Sequence, residues 1–420
     1  MLATAAALDS LIRHATADPH FDLPQVVFMA ATSDDGALYS GKGGWASVPD
    51  YPATKEQVAA EGVRIEEDSI FDLHSCTKLV AAVAAMQLIE QGTMALEDDA
   101  SKFVPELKDA KRFVGLKEDG TIEYEENSTP VTVKMLLTQT SGFCYFFLEP
   151  RLVEVAKSLG VGPLPNHADA TKEWLTKMPL VQKPGEHWTY GTSIDWLTLV
   201  IEGASGLSIE EYFQKNIFQP LGITDISYHE TDQQIPMSLA VKEMFSFEPV
   251  APGTPWTRRK ATPFTGHHDF GGSGLKGSPR SYLRFLRAIL RGGELDGARI
   301  LRPETVDLMF RPHLETNQQR NDLRAFLTPT IDPFTRKAGE TFPGQDYGYG
   351  GAYYGSSLPS GRGWPAMSWS GMANTYWVID RGNDVAFVVF TNCLPFADQR
   401  VFDFWERAEV ELYKGLKDCA

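Results

Sequence analysis

Ser75 and Lys78 stand three residues apart at the head of an apolar run, Leu79 to Ile89, that stops short of Gly92. Residues three apart on a helix share a face, one turn from each other. A helix beginning near Asp72–Ser75 sets the Ser75 hydroxyl at the positive end of the helix dipole, where an oxyanion is stabilised. It sets the Lys78 amine where it can hold or accept the hydroxyl proton. A serine that forms an acyl-enzyme needs this arrangement. S-x-x-K is a frequent tetrapeptide, so its weight depends on partner residues later in the chain.

Two further pieces come in order. Tyr190 lies in the stretch Trp188-Thr189-Tyr190-Gly191-Thr192-Ser193-Ile194-Asp195-Trp196, after the turn Pro184-Gly185 and ahead of a helix. A phenolate beside an ammonium is a competent general base for a serine, because the positive charge lowers the phenol pKa. From its own surroundings alone, Tyr190 reads as a packing residue with its OH on a backbone group. The third piece, Trp369-Ser370-Gly371-Met372, falls on or beside a late strand. Gly371 lets a backbone edge approach a substrate, and the Met372 N–H could pair with the Ser75 N–H around an oxyanion. Read alone, it is an ordinary strand end.

The elements that must carry these residues divide by position. Pro24–Thr32 and Ala37–Trp45 are β-rich runs around the hairpin signal Ser33-Asp34-Asp35-Gly36. Leu79–Ile89 is apolar on nearly all sides and reads as a core helix. Helical stretches then dominate: Val133–Gln139, Leu152–Leu159, Ala170–Lys177, Ile194–Gly203 and Ile209–Phe218. Ser278-Pro279 starts a helix that turns Tyr282, Phe285, Leu286 and Ile289 inward and ends at Gly292-Gly293. The runs Tyr347–Tyr354, Ala366–Trp369, Thr375–Asp380 and Val385–Thr391 read as strands, Phe396–Leu416 as a last helix, and 312–345 as a polar surface excursion. The expected fold is α/β: an antiparallel sheet of N- and C-terminal strands flanked by terminal helices, residues 1–95 and 275–420. A mostly helical domain, 96–274, is inserted, with a site in the cleft between the two.

Together and in this order, the three pieces resemble the serine β-lactamase and penicillin-binding superfamily. The likeness is strongest to its class C-like (family VIII) esterases and to the fungal acyltransferases that load the lovastatin side chain. Phe71 to Lys78, Thr132 to Gly142, Pro220-Leu221-Gly222-Ile223 and Gly271 to Leu275 are similar to stretches of that family. The resemblance implies a β-lactamase-like sandwich with Ser75 as the acylated nucleophile and Lys78 sharing its proton. Tyr190 would be the base of acylation and deacylation, Ser75 and Met372 would supply the oxyanion N–H groups, and no cofactor or metal is needed. Trp369, Ser370 and Gly371 take the place of the third motif and, with Thr192, would meet the substrate.

Two departures bear on that substrate. Thr192 stands where β-lactamases of this type carry an Asn for the drug's amide. Trp369 stands where they carry a Lys for its carboxylate. A site without both contacts suits a bulky, less charged acyl group. The expected substrate is a small-molecule ester or acyl thioester. Amide hydrolysis of the β-lactamase or D-amino peptidase type, and a non-catalytic binding protein of the same fold, are the competing readings. Phe143, Tyr145, Phe146, Phe147, Trp364 and Trp369 are candidates either for an acyl pocket or for core.

Composition excludes other classes. The 420 residues are 43% hydrophobic and 22% charged, as in a globular chain, and the net charge of −16 argues against nucleic acid and anionic membranes. No run is long enough to span a bilayer. The N-terminus lacks a basic region before its apolar stretch and reads as an amphipathic helix with Leu8, Leu11 and Ile12 inward. Cys76, Cys144, Cys393 and Cys419 are scattered without zinc-site spacing, in keeping with a reduced, cytoplasmic protein. No serine sits in a G-x-S-x-G elbow. His187 with Asp195 has no nucleophile beside it, and His267-His268-Asp269 lacks a second ligand cluster. Gln139, where the related stretch often has His, carries no assigned role.

Overall fold

The computed structural model describes residues 2–34, 36–161, 171–229, 245–249, 254–260, 268–330, 332–334 and 343–418. The chain begins with helix α1 (Leu2–Ala15) and strands β1 (Gln25–Ala31) and β2 (Tyr39–Ser47). Helix α2 (Lys55–Glu61), capped by Thr54, leads to short strands β3 (Val63–Arg64) and β4 (Phe71–Asp72). The apolar run comes next as α3 (Thr77–Glu90), then the hairpin β5 (Arg112–Leu116) and β6 (Ile122–Glu125). After it come α4 (Val133–Leu137), α5 (Arg151–Ser158), α6 (Lys172–Lys177), α7 (Ser193–Ser205) and α8 (Ile209–Phe213). A second hairpin, β7 (Phe245–Pro249) and β8 (Trp256–Lys260), precedes β9 (Lys276–Gly277) and α9 (Pro279–Leu290). A small ribbon, β10 (Glu294–Leu295) and β11 (Ala298–Arg299), joins α9 to α10 (Pro303–Met309) and α11 (Asn317–Thr330). The chain closes with β12 (Asp346–Gly348), β13 (Gly351–Tyr354), β14 (Ala366–Gly371), β15 (Thr375–Asp380), β16 (Val385–Phe390) and α12 (Gln399–Lys417).

One antiparallel sheet of eight strands, β12-β13-β14-β15-β16-β1-β2-β3, joins both ends of the chain. Its seam is the pairing of β1 with β16, Phe28 opposite Val389. β1 is buried at every position because both faces of the sheet are covered. Val27, Met29 and Ala31 enter the larger core with α3, α7 and α9. Val26, Phe28 and Ala30 enter a second core with Leu8 and Ile12 of α1 and Trp405 and Leu412 of α12. Helix α3 has no polar face, and its buried alanines let it lie deep in the larger core against α7. The fold is thus α/β with a large antiparallel sheet and terminal helices over one face.

The sequence-based boundaries shift in several places. Tyr347–Tyr354 is two strands, split by a turn at Tyr349-Gly350 where Gly350 takes a φ of +117°. Ile209–Phe218 is helical throughout, α-helical to Phe213 and then a single π-helical turn. Ala170 and Cys419 lie outside the described residues. The largest correction concerns 312–345, expected as a surface excursion. It contains α11, whose Leu323 and Leu327 are buried and whose Phe326 packs on Tyr190. Its polar composition belongs to the outer face, and three apolar residues four and three apart are enough to seat the helix. Among the described residues no helix is long and apolar enough to cross a membrane.

Candidate active site

Ser75 sits in a single 3-10 turn, His74–Cys76, between β4 and α3, rather than inside the α-helix itself. The turn is held from three sides. The Leu73 N–H donates to the Leu275 carbonyl at 3.0 Å, the Tyr282 OH donates to the Cys76 carbonyl at 2.8 Å, and the Leu275 N–H donates to Thr77 Oγ1 at 3.3 Å. His74, just before Ser75, has a φ of +42°. Such a backbone costs on the order of 1–3 kcal/mol in a non-glycine residue and persists where surrounding contacts over-determine it.

Lys78 is 1% exposed, the second residue of α3 and one turn on from Ser75. Its ammonium has three N–H donors and finds three acceptors: Ser75 Oγ at 3.0 Å, Tyr145 OH at 3.0 Å and the Gly272 carbonyl at 2.6 Å. A buried charge is tolerable only with such full satisfaction. The close approach of the Gly272 backbone requires glycine, since a Cβ there would lie 2.3 Å from Asp195 Oδ1. The Nζ also lies over the Tyr190 ring, 4.9 Å from its centroid.

Tyr190 OH lies 2.8 Å from Ser75 Oγ, so the first two sequence pieces meet on one oxygen. Its backbone is clamped by Gln139. The Gln139 carbonyl accepts from Thr189 N–H at 2.9 Å, and its Oε1 accepts from Gly191 N–H at 3.3 Å. Gln139 is fully buried, with a φ of +59°, and this backbone clamp is its place in the site. The Tyr190 ring is walled by Phe326 at 5.0 Å, Tyr145 at 5.1 Å and Trp369 at 5.4 Å, centroid to centroid.

The third piece ends β14, beside the turn that carries Ser75. A Cβ on Gly371 would lie 2.5 Å from the Leu73 carbonyl oxygen and 3.1 Å from His74 Cβ, so only glycine lets the strand end come this close. The chain then turns through Met372, which is half exposed, into Thr375 opposite Gly371. Trp369 is buried against Tyr190 and Tyr347, and Ser370 is also buried. Thr192 is buried at the cap of α7 and makes no side-chain cap hydrogen bond.

Two residues of this cluster carried no chemical assignment. The Tyr145 OH accepts from Lys78 and donates to Asp195 Oδ2 at 3.3 Å. Burial first, then the Asp195 charge, pushes the Tyr145 phenol well above its usual range, so it stays protonated. Asp195 is fully buried, and desolvation raises its carboxyl to about 6 against the lowering pull of Lys78. Asp195 five residues after Tyr190 was legible as a buried-face helix position; nothing local marks Tyr145, which sits in the irregular segment after α4.

Other candidates fall away. His187 pairs with Asp322 at 2.9 Å, remote from the Asp195 partnership imagined for a triad. His268 pairs with Glu202 at 3.1 Å and Asp269 with His229 at 3.0 Å, while His267 lies outside the described residues. Trp364, a pocket candidate, is exposed two residues before β14 begins, at the end of that strand opposite Gly371. Phe143 stacks on Trp196 in the core. Cys76, next to Ser75, is fully buried and its thiol is pushed up to about 12, which removes it as a rival nucleophile.

A sheet-and-helix sandwich that brings a Ser, a Lys one turn on, and a Tyr onto one oxygen defines a class of acyl-transferring serine proteins. The chain belongs to the beta-lactamase family, whose model matches residues 25–412. It is 30% identical over 366 residues to the lovastatin esterase of Penicillium rubens, covering 86% of this chain and 90% of that protein. It is 30% identical over 359 residues to the monacolin J acid methylbutanoyltransferase of Aspergillus terreus, covering 83% of each. A mutant simvastatin synthase from Aspergillus terreus superposes with a TM-score of 0.83 at 27% identity, covering 99% of this chain and 96% of that one.

Proposed function

We propose that this protein is an esterase or acyltransferase that forms an acyl-enzyme on Ser75 and passes the acyl group of a carboxylic ester, or of an acyl thioester, to water or an alcohol. The observation that carries the reading is the convergence of Lys78 Nζ and Tyr190 OH on Ser75 Oγ, at 3.0 and 2.8 Å. Tyr190, as phenolate, takes the Ser75 proton while Oγ bonds to the acyl carbon. Lys78 Nζ lies over its ring, 4.9 Å from the centroid, and donates to the same Ser75 Oγ. The N–H groups of Ser75 and Met372 receive the oxyanion. Tyr190 returns the proton to the departing alkoxide or thiolate. In deacylation it takes the proton of the incoming water or alcohol, and Ser75 recovers its own.

The relatives named for an esterase and an acyltransferase support both acceptors. The site would lie between the unit formed by 1–95 and 275–420 and the unit 96–274. The three described cysteines, all free thiols, support a cytoplasmic location.

Thr192 and Trp369 shape substrate choice. Neither supplies the polar partner that a β-lactam's amide or carboxylate would meet, and an unpaired group in a closed site costs about 1–3 kcal/mol. The indole of Trp369, with Tyr190 and Phe326, instead offers an aromatic wall. On one preparation, nitrocefin should be turned over roughly 10²–10⁴ less efficiently, in kcat/KM, than the best of a chain-length series of p-nitrophenyl esters. Equal efficiency would overturn the assignment of Trp369 and Thr192. Running the ester series with and without an alcohol acceptor, and tracking the alcohol ester by mass, separates transfer from hydrolysis.

A further inference from the structure

Lys78 lies deep in the molecule, and an acidic group is needed to balance it. Among the described residues no carboxylate pairs directly with its Nζ. The balance comes through an intermediate: Lys78 donates to Tyr145 OH at 3.0 Å, and Tyr145 OH donates to Asp195 Oδ2 at 3.3 Å. Both partners are fully buried and come from different parts of the chain, Tyr145 after α4 and Asp195 in the first turn of α7. Asp195 lies in the first turn of α7, five residues after Tyr190, so one short segment presents the base to Ser75 and the counter-charge to Lys78.

We propose that Asp195, acting through the Tyr145 hydroxyl, is a positioning residue for Lys78: it holds the amine in place, with one N–H on Tyr145 and another left for Ser75 Oγ. This rests on the reading of Ser75, Lys78 and Tyr190 given above. No proton crosses the relay. Tyr145 keeps its hydrogen, and above about pH 6 Asp195 stays a carboxylate. Tyr145 thereby differs from Tyr190 in role, although both rings flank Lys78. The groups facing Asp195 are Lys78 from α3, Tyr145 from the loop after α4 and the Gly272 N–H, with the Tyr228 phenol close enough to be raised by its charge. The burial-raised carboxyl places its loss of charge on the acid side of about pH 6.

The test compares Asp195→Asn, Tyr145→Phe and the double variant with the full-length wild type, each first checked for a native thermal transition. Asp195→Asn keeps the shape and an acceptor for Tyr145 but removes the charge. It should lower kcat/KM for a p-nitrophenyl ester roughly tenfold to a hundredfold, the scale on which outer groups orient metal-bound side chains. The loss should sit in kcat, and the acid limb of the wild-type pH profile should disappear. Because Asp195 acts through Tyr145, the double variant should be no worse than Tyr145→Phe alone. Multiplied losses, or an Asp195→Asn enzyme with wild-type kcat and pH profile, would overturn the relay. Should Asp195→Asn fail to fold, Tyr145→Phe alone decides, since wild-type kcat in that variant also overturns it. A fluorophosphonate probe keeps the two readings apart. Labelling of wild type at Ser75 with equal labelling rates in Asp195→Asn sinks only the relay, whereas no labelling of wild type at Ser75 sinks the nucleophile reading itself.

Discussion

A Ser75→Ala enzyme should fold normally, show no acyl-enzyme mass on incubation with ester, and lose turnover by a factor on the order of 10⁵–10⁶, as serine hydrolases do when the nucleophile is removed. The fold should survive because the contacts that hold the 3-10 turn do not involve the hydroxyl. The turn is fixed by the backbone bonds of Leu73, the Tyr282 OH on the Cys76 carbonyl, and the packing of Gly371. Deleting Oγ removes an acceptor from both Lys78 and Tyr190, a local loss of about 1–3 kcal/mol in stability for each buried donor left unpaired. Intact-protein mass spectrometry and ester turnover on the same sample check this. Wild-type turnover in pure Ser75→Ala would show that another residue carries the acyl group.

The second large effect is on proton transfer. Tyr190→Phe removes one oxygen, 2.8 Å from Ser75 Oγ, and leaves a ring packed by Phe326, Tyr145 and Trp369. Turnover should drop by on the order of 10²–10⁴, the usual contribution of a general base. Lys78→Ala should cost at least as much, since it takes away a donor to Ser75 Oγ and the side chain that lies over the Tyr190 ring. Residues acting as one unit are not additive, so the double variant should be close to the worse single one. Steady-state kcat/KM for all three variants measures this. Fully multiplied losses would mean the two side chains serve separate steps.

Asp195 links activity to stability. Its carboxyl titrates near 6 in the folded protein against 3.8 as an ordinary Asp, because burial disfavours the charge. Below pH 4 both states are protonated and the group costs nothing. Between pH 4 and 6 the unfolded chain ionises first, so stability falls as pH rises. Above pH 6 a cost of about 3 kcal/mol persists. Asp195→Asn should therefore flatten the fall of the urea midpoint between pH 4 and 7.5, while slowing catalysis. A fall as steep as that of the wild type would show that another group titrates there. Activity maintained at the expense of stability is expected of a preorganised site.

Local pattern was enough for much of this protein. The spacing of Ser75 and Lys78, the all-apolar α3 and the β-rich runs at the two chain ends are properties of short windows, where composition and helical period show themselves directly. The order of the three motifs carried the family, and with it the expectation that Tyr190 reaches Ser75. Only the tertiary structure decided which other side chains join them. Tyr145 lies 67 residues from Lys78 in sequence, and Asp195 lies 50 from Tyr145, so no local period relates them. Phe326 reaches Tyr190 from a helix in a segment whose polar majority faces outward and hides three inward residues. Trp364 and Trp369 are five residues apart and look alike as aromatics beside a strand. Strand length alone separates them, one at the buried wall of the site and the other exposed past the opposite end. A short window shows which face a residue takes within its own element. It cannot show which other face arrives there, because that depends on the long-range packing of the sheet, α3 and α7 that brings distant segments to one oxygen.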